Sequence, residues 1–197
     1  MKIVIIDYKA GNIRSVKLAF RRLGVEAELT ANADEIANAD KVVFPGVGEA
    51  SWAMNQLQKG GLDKLIPTLK QPLLGICLGM QLLCEHTEEG DTACLGVFPT
   101  KVKHFDPNGT TGLKVPHVGW NDVSNLKSPL FKDIIENEYM YFVHSYYAEQ
   151  SEFSLATADY VLPFSAALRR NNFYAVQFHP ERSGEAGEQL LKNFLEV

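Results

Sequence analysis

A cysteine framed by glycines, a histidine at the end of an apolar run and a glutamate two residues later are the residues of this chain best suited to nucleophilic catalysis. Cys77 stands in Gly75-Ile76-Cys77-Leu78-Gly79. Glycines two residues to either side let a strand turn sharply into a helix, and such a turn lifts the side chain above the sheet edge. The following helix would aim its N-terminal amides at the sulfur, where a nucleophilic cysteine carries negative charge. A packing cysteine between turn glycines is the other reading, and five residues alone leave both open. A nucleophile needs a base, and the base needs an orienter. His179 closes the run Phe173-Tyr174-Ala175-Val176-Gln177-Phe178, at a strand's C-terminal end, where open α/β sheets place their sites. Pro180 bars further ladder pairing, so Glu181 can fold back and hold the imidazole. Taken alone, His179 reads equally as a strand-end surface histidine. Cys84 and Cys94 lack a glycine frame and read as packing, with Cys84 two turns along the same helix as Cys77. His86 reads as solvated charge at a helix end and His104 as loop. No Cys or His pair has short ligand spacing, so neither metal nor cofactor is expected.

Positioning these groups requires a sheet. Lys2 to Ile6, Val42 to Phe44 and Pro72 to Ile76 are continuous apolar runs, as strands buried on both faces should be. Between them Ile13, Val16, Phe20 and Leu23 recur at helical spacing until Gly24. Helices are also predicted over Ala33–Ala37, Ala50–Leu57, Leu62–Leu69 and Leu78–Cys84, with a half-exposed strand at Val25–Leu29. Strands alternating with helices predict a parallel sheet covered on both faces. The second half reads differently. Strand-like pieces around Val97, Val102, Val115, Val118 and Val123 are broken by the turn signal Asp106-Pro107-Asn108-Gly109. Longer strands are predicted over Tyr139–Ala148 and Phe173–Phe178, weaker ones at Phe153–Ala158 and Ser165–Leu168, and a closing helix through Ala186–Leu195. The expected fold is a single α/β domain over 1–197, an open mixed, mostly parallel sheet with helices on both faces.

The chain has 197 residues, 46% of them hydrophobic, and 19 Lys+Arg against 24 Asp+Glu give a net charge of −5. The acidic balance argues against nucleic acid or an anionic membrane as partner. No run approaches the roughly 20 apolar residues of a membrane span, and Asp7 interrupts the N-terminal run too early for a secretory signal. Three cysteines do not make a disulfide framework, which points to a reducing cytoplasm. Asn108-Gly109-Thr110 matches a glycosylation sequon that a cytoplasmic protein would not use.

Gly-Ile-Cys-Leu-Gly-Met-Gln from Gly75 to Gln81, with Phe178-His179-Pro180-Glu181, resembles the triad, or class-I, glutamine amidotransferases over almost the whole chain. Within that family, further segments resemble the branch that supplies ammonia to imidazole glycerol phosphate synthesis in histidine biosynthesis. These are Asp7-Tyr8 with Gly11-Asn12-Ile13, Pro45-Gly46-Val47-Gly48, Pro116-His117-Val118-Gly119-Trp120-Asn121 and Tyr141-Phe142-Val143-His144-Ser145-Tyr146. The resemblance implies hydrolysis of L-glutamine to glutamate and ammonia through a thioester on Cys77, with His179 as general acid/base and Glu181 as its orienter. It implies an oxyanion hole from the backbone amides of Val47 and Leu78, and glutamine contacts from Gly48, Gln81, Glu89, Ser145 and Tyr146. Gln81 lies one helical turn beyond Cys77 and can face the same pocket. Glu89 could pair with the substrate ammonium or belong to a solvated acidic run with Glu85, Glu88 and Asp91. Asn12, Trp120 and Arg182 are expected to face the partner, although Trp120 by itself reads equally as core.

Two departures stand out. Lys9-Ala10 occupies a place where the family often has Gly-x, and Arg182 follows Glu181 where Lys is common, so a partner salt bridge there would differ in geometry. Because the glutaminase domain accounts for the whole chain, the ammonia acceptor is expected on a second polypeptide. The resemblance makes it a (β/α)₈-barrel cyclase forming a heterodimer, with ammonia passed through a channel and glutaminase activity low without the partner. Pro-Gly-Val-Gly and Pro-His-Val-Gly-Trp-Asn speak against the glutaminases of anthranilate, aminodeoxychorismate and pyridoxal phosphate synthesis. A non-catalytic subunit would be expected to lack one of Cys77, His179 and Glu181. A Cys-dependent peptidase is disfavoured by Gln81 and Glu89 beside the elbow.

Overall fold

In a computed structural model, which describes residues 1–9, 12–106 and 112–197, the chain alternates strand and helix through its first half. The elements are β1 (Ile3–Ile6), α1 (Ile13–Arg22), β2 (Ala27–Thr30), α2 (Ala33–Ala37), β3 (Lys41–Gly46), α3 (Ala50–Lys59), α4 (Leu62–Leu65), β4 (Leu73–Cys77) and α5 (Leu78–Leu83). The second half contributes β5 (Cys84–Thr87), β6 (Thr92–Ala93), β7 (Phe98–His104), β8 (His117–Val123), β9 (Glu138–His144), β10 (Tyr146–Ala148), β11 (Ser154–Asp159), β12 (Pro163–Arg170), β13 (Phe173–Val176) and α6 (Gly184–Glu196). Seven strands form the main sheet in the order β11-β12-β13-β4-β3-β1-β2. Pairs from β13 to β2 are parallel, and β12 and β11 extend the sheet antiparallel. β10, β7, β5 and β6 make a smaller sheet, and β8 with β9 a two-stranded ribbon.

The all-apolar strands are buried because both faces are covered. One core layer packs Val16, Phe20, Leu190 and Phe194 of α1 and α6 on Ile3, Ile5 and Val43. The opposite layer packs Met54, Leu57 and Leu82 of α3 and α5 on Val4, Ile6, Val42 and Phe44. Burying one such Leu or Phe is worth roughly 1.5–3 kcal/mol, so both layers are needed to hold the sheet. No helix among the described residues is long and apolar enough to cross a membrane.

The structure revises several sequence-based expectations. The helix over Leu62–Leu69 ends after one turn and continues as a 3-10 turn at Ile66–Thr68, where Pro67 cannot donate to an α-helical ladder. The elbow helix stops at Leu83, and Cys84 opens β5 rather than lying on the helix. His86 therefore sits in β5, 2.9 Å from Asp91, not at a helix end, and His104 ends β7 rather than lying in a loop. Tyr139–Ala148 is not one strand: His144 pairs with His117 in the ribbon, whereas Tyr146 pairs with His104 in the small sheet, so the chain changes partner at Ser145. Pro107 to Gly109 of the expected turn and the Asn108 sequon fall on residues outside the described set, as do Ala10 and Gly11.

Candidate active site

β13, β4 and β3 lie side by side, and their C-terminal ends build the site. Gly46 is in register with Cys77 and Val176 with Ile76, so Val47, Cys77 and His179 emerge at one sheet edge. They border a cavity of about 380 Å³. Leu78, Gly48, Gln81, Glu89, Ser145, Tyr146, Asn12 and Arg182 also line it. Of the sequence-predicted residues only Glu181 and Trp120 do not: Glu181 lies behind His179, and Trp120 stands outside, 55% exposed and so not core.

Cys77 has φ +54° and ψ −112°, a conformation that L-residues rarely adopt and that costs about 1–3 kcal/mol. The flanking glycines make it feasible. A Cβ at Gly79 would lie 1.9 Å from the Phe44 carbonyl oxygen, and one at Gly75 would lie 2.7 Å from Leu83 Cδ1. Strand and helix are thus packed backbone to backbone, and the sulfur is left at the cavity wall. Gly79→Ala should push α5 off β3, lower the melting temperature by about 2–12 °C, as overpacking of about 1–3 kcal/mol would, and cost activity with it. A thermal melt checks this.

His179 Nδ1 lies 2.8 Å from Glu181 Oε1, brought there by the 3-10 turn at Pro180–Arg182. The histidine backbone is pinned on both sides: its N–H donates to Tyr141 O at 2.9 Å, and its carbonyl accepts from Ser183 Oγ at 2.7 Å. Nε2 is buried and lacks a partner of regular hydrogen-bond geometry. Burial works to lower the ring's pKa. The Cys77 sulfur beside it and the Glu181 carboxylate outweigh that and push it up to about 10. At neutral pH the imidazole is therefore charged, facing a sulfur on one side and a carboxylate on the other. Such a cysteine–histidine–carboxylate arrangement at an elbow is competent for acyl transfer.

The glutamine amidotransferase class-I family matches residues 4–197. The chain belongs to this family. Among curated relatives of this amidotransferase, the imidazole glycerol phosphate synthase subunit HisH of Bacteroides fragilis (strain YCH46) is 58% identical over 197 residues, covering 100% of both chains. The subunit of the same name from Haemophilus influenzae (strain ATCC 51907 / DSM 11121 / KW20 / Rd) is 48% identical, covering 100% of this chain and 98% of its own. A solved glutamine amidotransferase superposes with a TM-score of 0.75 at 20% identity over 98% of this chain and 97% of the other, a likeness of fold.

Further groups shape the amidotransferase cavity. Glu89 is not part of a solvated acidic run: it is half-buried, and its Oε2 accepts the Ala50 N–H at 2.8 Å. Burial is the main influence on this carboxyl and raises its pKa. Gly48 takes φ +102°, which bends the chain past the cavity after Val47. Arg182 stacks its guanidinium 4.8 Å from the Tyr141 ring centre, and Trp120 meets the same ring edge-on at 6.0 Å. Tyr8 Oη donates to Pro45 O at 2.9 Å and so fixes the strand end that leads into Val47. Burial, then the Cys77 charge, pushes the Tyr8 hydroxyl far upward and keeps it a neutral donor. No local motif announces that contact, because it joins residues 37 apart.

His117 and His144 form a second, buried histidine pair, with Nδ1 of the first 3.1 Å from Nε2 of the second. The carbonyl of Tyr146 can only accept, so His144 Nδ1, 2.7 Å away, carries the hydrogen and its Nε2 accepts from His117. Burial lowers His117 to about 4; burial and then the charges of His117 and His179, opposed by the Tyr146 bond, lower His144 to about 3. Below the unfolded value near 6.5, the unfolded chain binds protons these rings refuse, so their stabilisation fades as pH falls towards 4 and 3. His179 has the opposite sign: its stabilisation is complete below about 6.5 and is lost as pH rises through about 10. The urea midpoint should therefore peak near pH 6.5, and His179→Ala should flatten the alkaline limb.

Proposed function

We propose that this amidotransferase is the glutamine-hydrolysing subunit of an imidazole glycerol phosphate synthase, with residues 1–197 acting as one cytoplasmic glutaminase domain. The observation that carries this reading is the Cys77 elbow and His179 at one cavity, with Glu181 behind the ring. The full-length identity to the synthase subunits supports the choice of pathway. Cys77 Sγ attacks the side-chain carbonyl carbon of glutamine. The oxyanion that forms is held by the backbone N–H groups of Val47 and Leu78, one such donor being worth about 3 kcal/mol. As the C–N bond breaks, His179 Nε2 gives its proton to the departing nitrogen, and ammonia leaves. Neutral His179 then takes a proton from water, which attacks the thioester; the C–S bond breaks and glutamate is released. Glu181 holds the ring and stabilises its charged form. Gly48, Gln81, Glu89, Ser145 and Tyr146 hold the glutamine, with the anchored Glu89 carboxylate set for the α-ammonium.

Free ammonia in neutral water becomes ammonium, which is no nucleophile, so it must pass directly to an acceptor. The acceptor is a (β/α)₈-barrel cyclase subunit in a heterodimer, yielding imidazole glycerol phosphate and aminoimidazole carboxamide ribotide. Asn12 and Arg182, which line the cavity, and exposed Trp120, which shares the Tyr141 ring with Arg182, form the docking face. The purified chain and its cyclase should co-elute as a one-to-one complex in size exclusion, and the complex should hydrolyse glutamine faster than the chain alone. Trp120→Ala with Arg182→Glu should abolish co-elution while leaving the fold intact. Separate elution of the two wild-type proteins would overturn the partner assignment.

A further inference from the structure

Gln177 is wholly buried between β13 and His179. A primary amide in that position must satisfy both of its ends. A chain of hydrogen bonds starting at a backbone carbonyl decides which end points where. Tyr146 O can only accept, so the Gln81 atom 2.9 Å from it is Nε2. That nitrogen can only donate, so the Gln177 atom 3.0 Å from it is Oε1. Gln177 Nε2 is thereby turned onto the Cys77 sulfur, 3.8 Å away. Both Nε2 hydrogens of Gln81 are spent on the protein, and its carbonyl oxygen is the polar atom left for the cavity it lines.

We propose that Gln177 is a positioning residue for glutamine hydrolysis, holding an N–H donor against Cys77 Sγ and locking Gln81 with its carbonyl oxygen towards the substrate. This rests on the glutaminase reading of the cavity. The donor is of use whenever the sulfur is an anion, before it attacks the amide carbon and again when the C–S bond of the thioester breaks. The locked Gln81 offers the substrate an acceptor, which suits an N–H donor of glutamine and repels a carboxylate oxygen.

Two variants separate the two ends of the relay. Gln177→Met keeps the length and removes both. Gln177→Glu keeps an oxygen that can accept from Gln81 but puts a second acceptor against the sulfur. In the full chain with its partner, Gln177→Met should lower kcat about tenfold, the size of one hydrogen bond to a charged group, and should also raise KM. Gln177→Glu should lower kcat and leave KM near the wild-type value. Both should slow alkylation of Cys77 by iodoacetamide, a reaction that needs no glutamine. The alkylation result therefore stands even where glutamine is not the substrate, and wild-type failure to hydrolyse glutamine would count against the function alone. Folded variants with unchanged alkylation rates and unchanged kcat would overturn the proposal. So would equal KM increases in both variants, because a merely structural role predicts no split.

Discussion

Cys77→Ala should lower glutamine hydrolysis by at least about 10⁴-fold, as removal of a covalent nucleophile does, and leave the chain folded. Neither other thiol can take its place. Burial raises the Cys84 thiol far above its usual range, and burial with the nearby Glu89 charge pushes Cys94 up to about 12, so both stay protonated. Cys84 also begins β5, directed away into the packed core, where its Sγ donates to Met80 O at 3.6 Å. The variant removes a sulfur from a wall of the cavity and takes the partner of buried Gln177 Nε2 with it, a cost of about 1–3 kcal/mol that the packed sheet can bear. With the proposed cyclase partner and an ammonium salt in place of glutamine, ring closure should proceed at the wild-type rate, because the proposed complex puts the acceptor site on the other subunit. Steady-state assays with the two nitrogen sources check both halves. Retention of glutamine-dependent turnover would remove Cys77 from its role, and loss of the ammonia-dependent reaction would mean the substitution damages the complex.

His179→Ala should slow glutamine hydrolysis by about 10²–10⁴-fold, the range for a positioned acid or base. The ring is charged at neutral pH because Cys77 and Glu181 overcome its burial, so it is poised to protonate the departing nitrogen. In the proposed reaction, losing it removes that acid and the base for the water that attacks the thioester. It also leaves Glu181 with both oxygens unpartnered, since Oε2 already has no partner. A destabilisation of about 1–3 kcal/mol is therefore expected alongside the kinetic defect. Single-turnover kinetics separate the two: a melting point lowered by a few degrees with wild-type acylation would deny His179 its chemistry.

The placing of Cys77 at an elbow and of Glu181 beside His179 was legible because each of these parts is local. The elbow lies in five residues from Gly75 to Gly79, and the return of Glu181 to His179 lies in three. Parallel strands buried on both faces announce themselves as apolar runs, as β1, β3 and β4 do. The features that sequence missed are decided by partners far along the chain. Nothing in Tyr139–Ala148 marks Ser145 as the point where one strand leaves β8 for β7. Cys84 continues a helical pattern, yet it pairs with Phe98. Glu89 is picked out by the resemblance, but its residue pattern alone does not separate it from its acidic neighbours, because what does so is the N-terminal amide of α3 reaching it. Gln177 looks like the polar interruption of an apolar strand, and its meaning depends on Gln81, 96 residues away.

The most direct test of a glutamine-directed nucleophile at the elbow is labelling with a glutamine analogue in which a chloromethyl ketone replaces the carboxamide. Mass spectrometry of the digested protein should find a single modified thiol, Cys77, with labelling slowed by added glutamine. Label on Cys84 or Cys94, or labelling of Cys77 that glutamine does not slow, would contradict it.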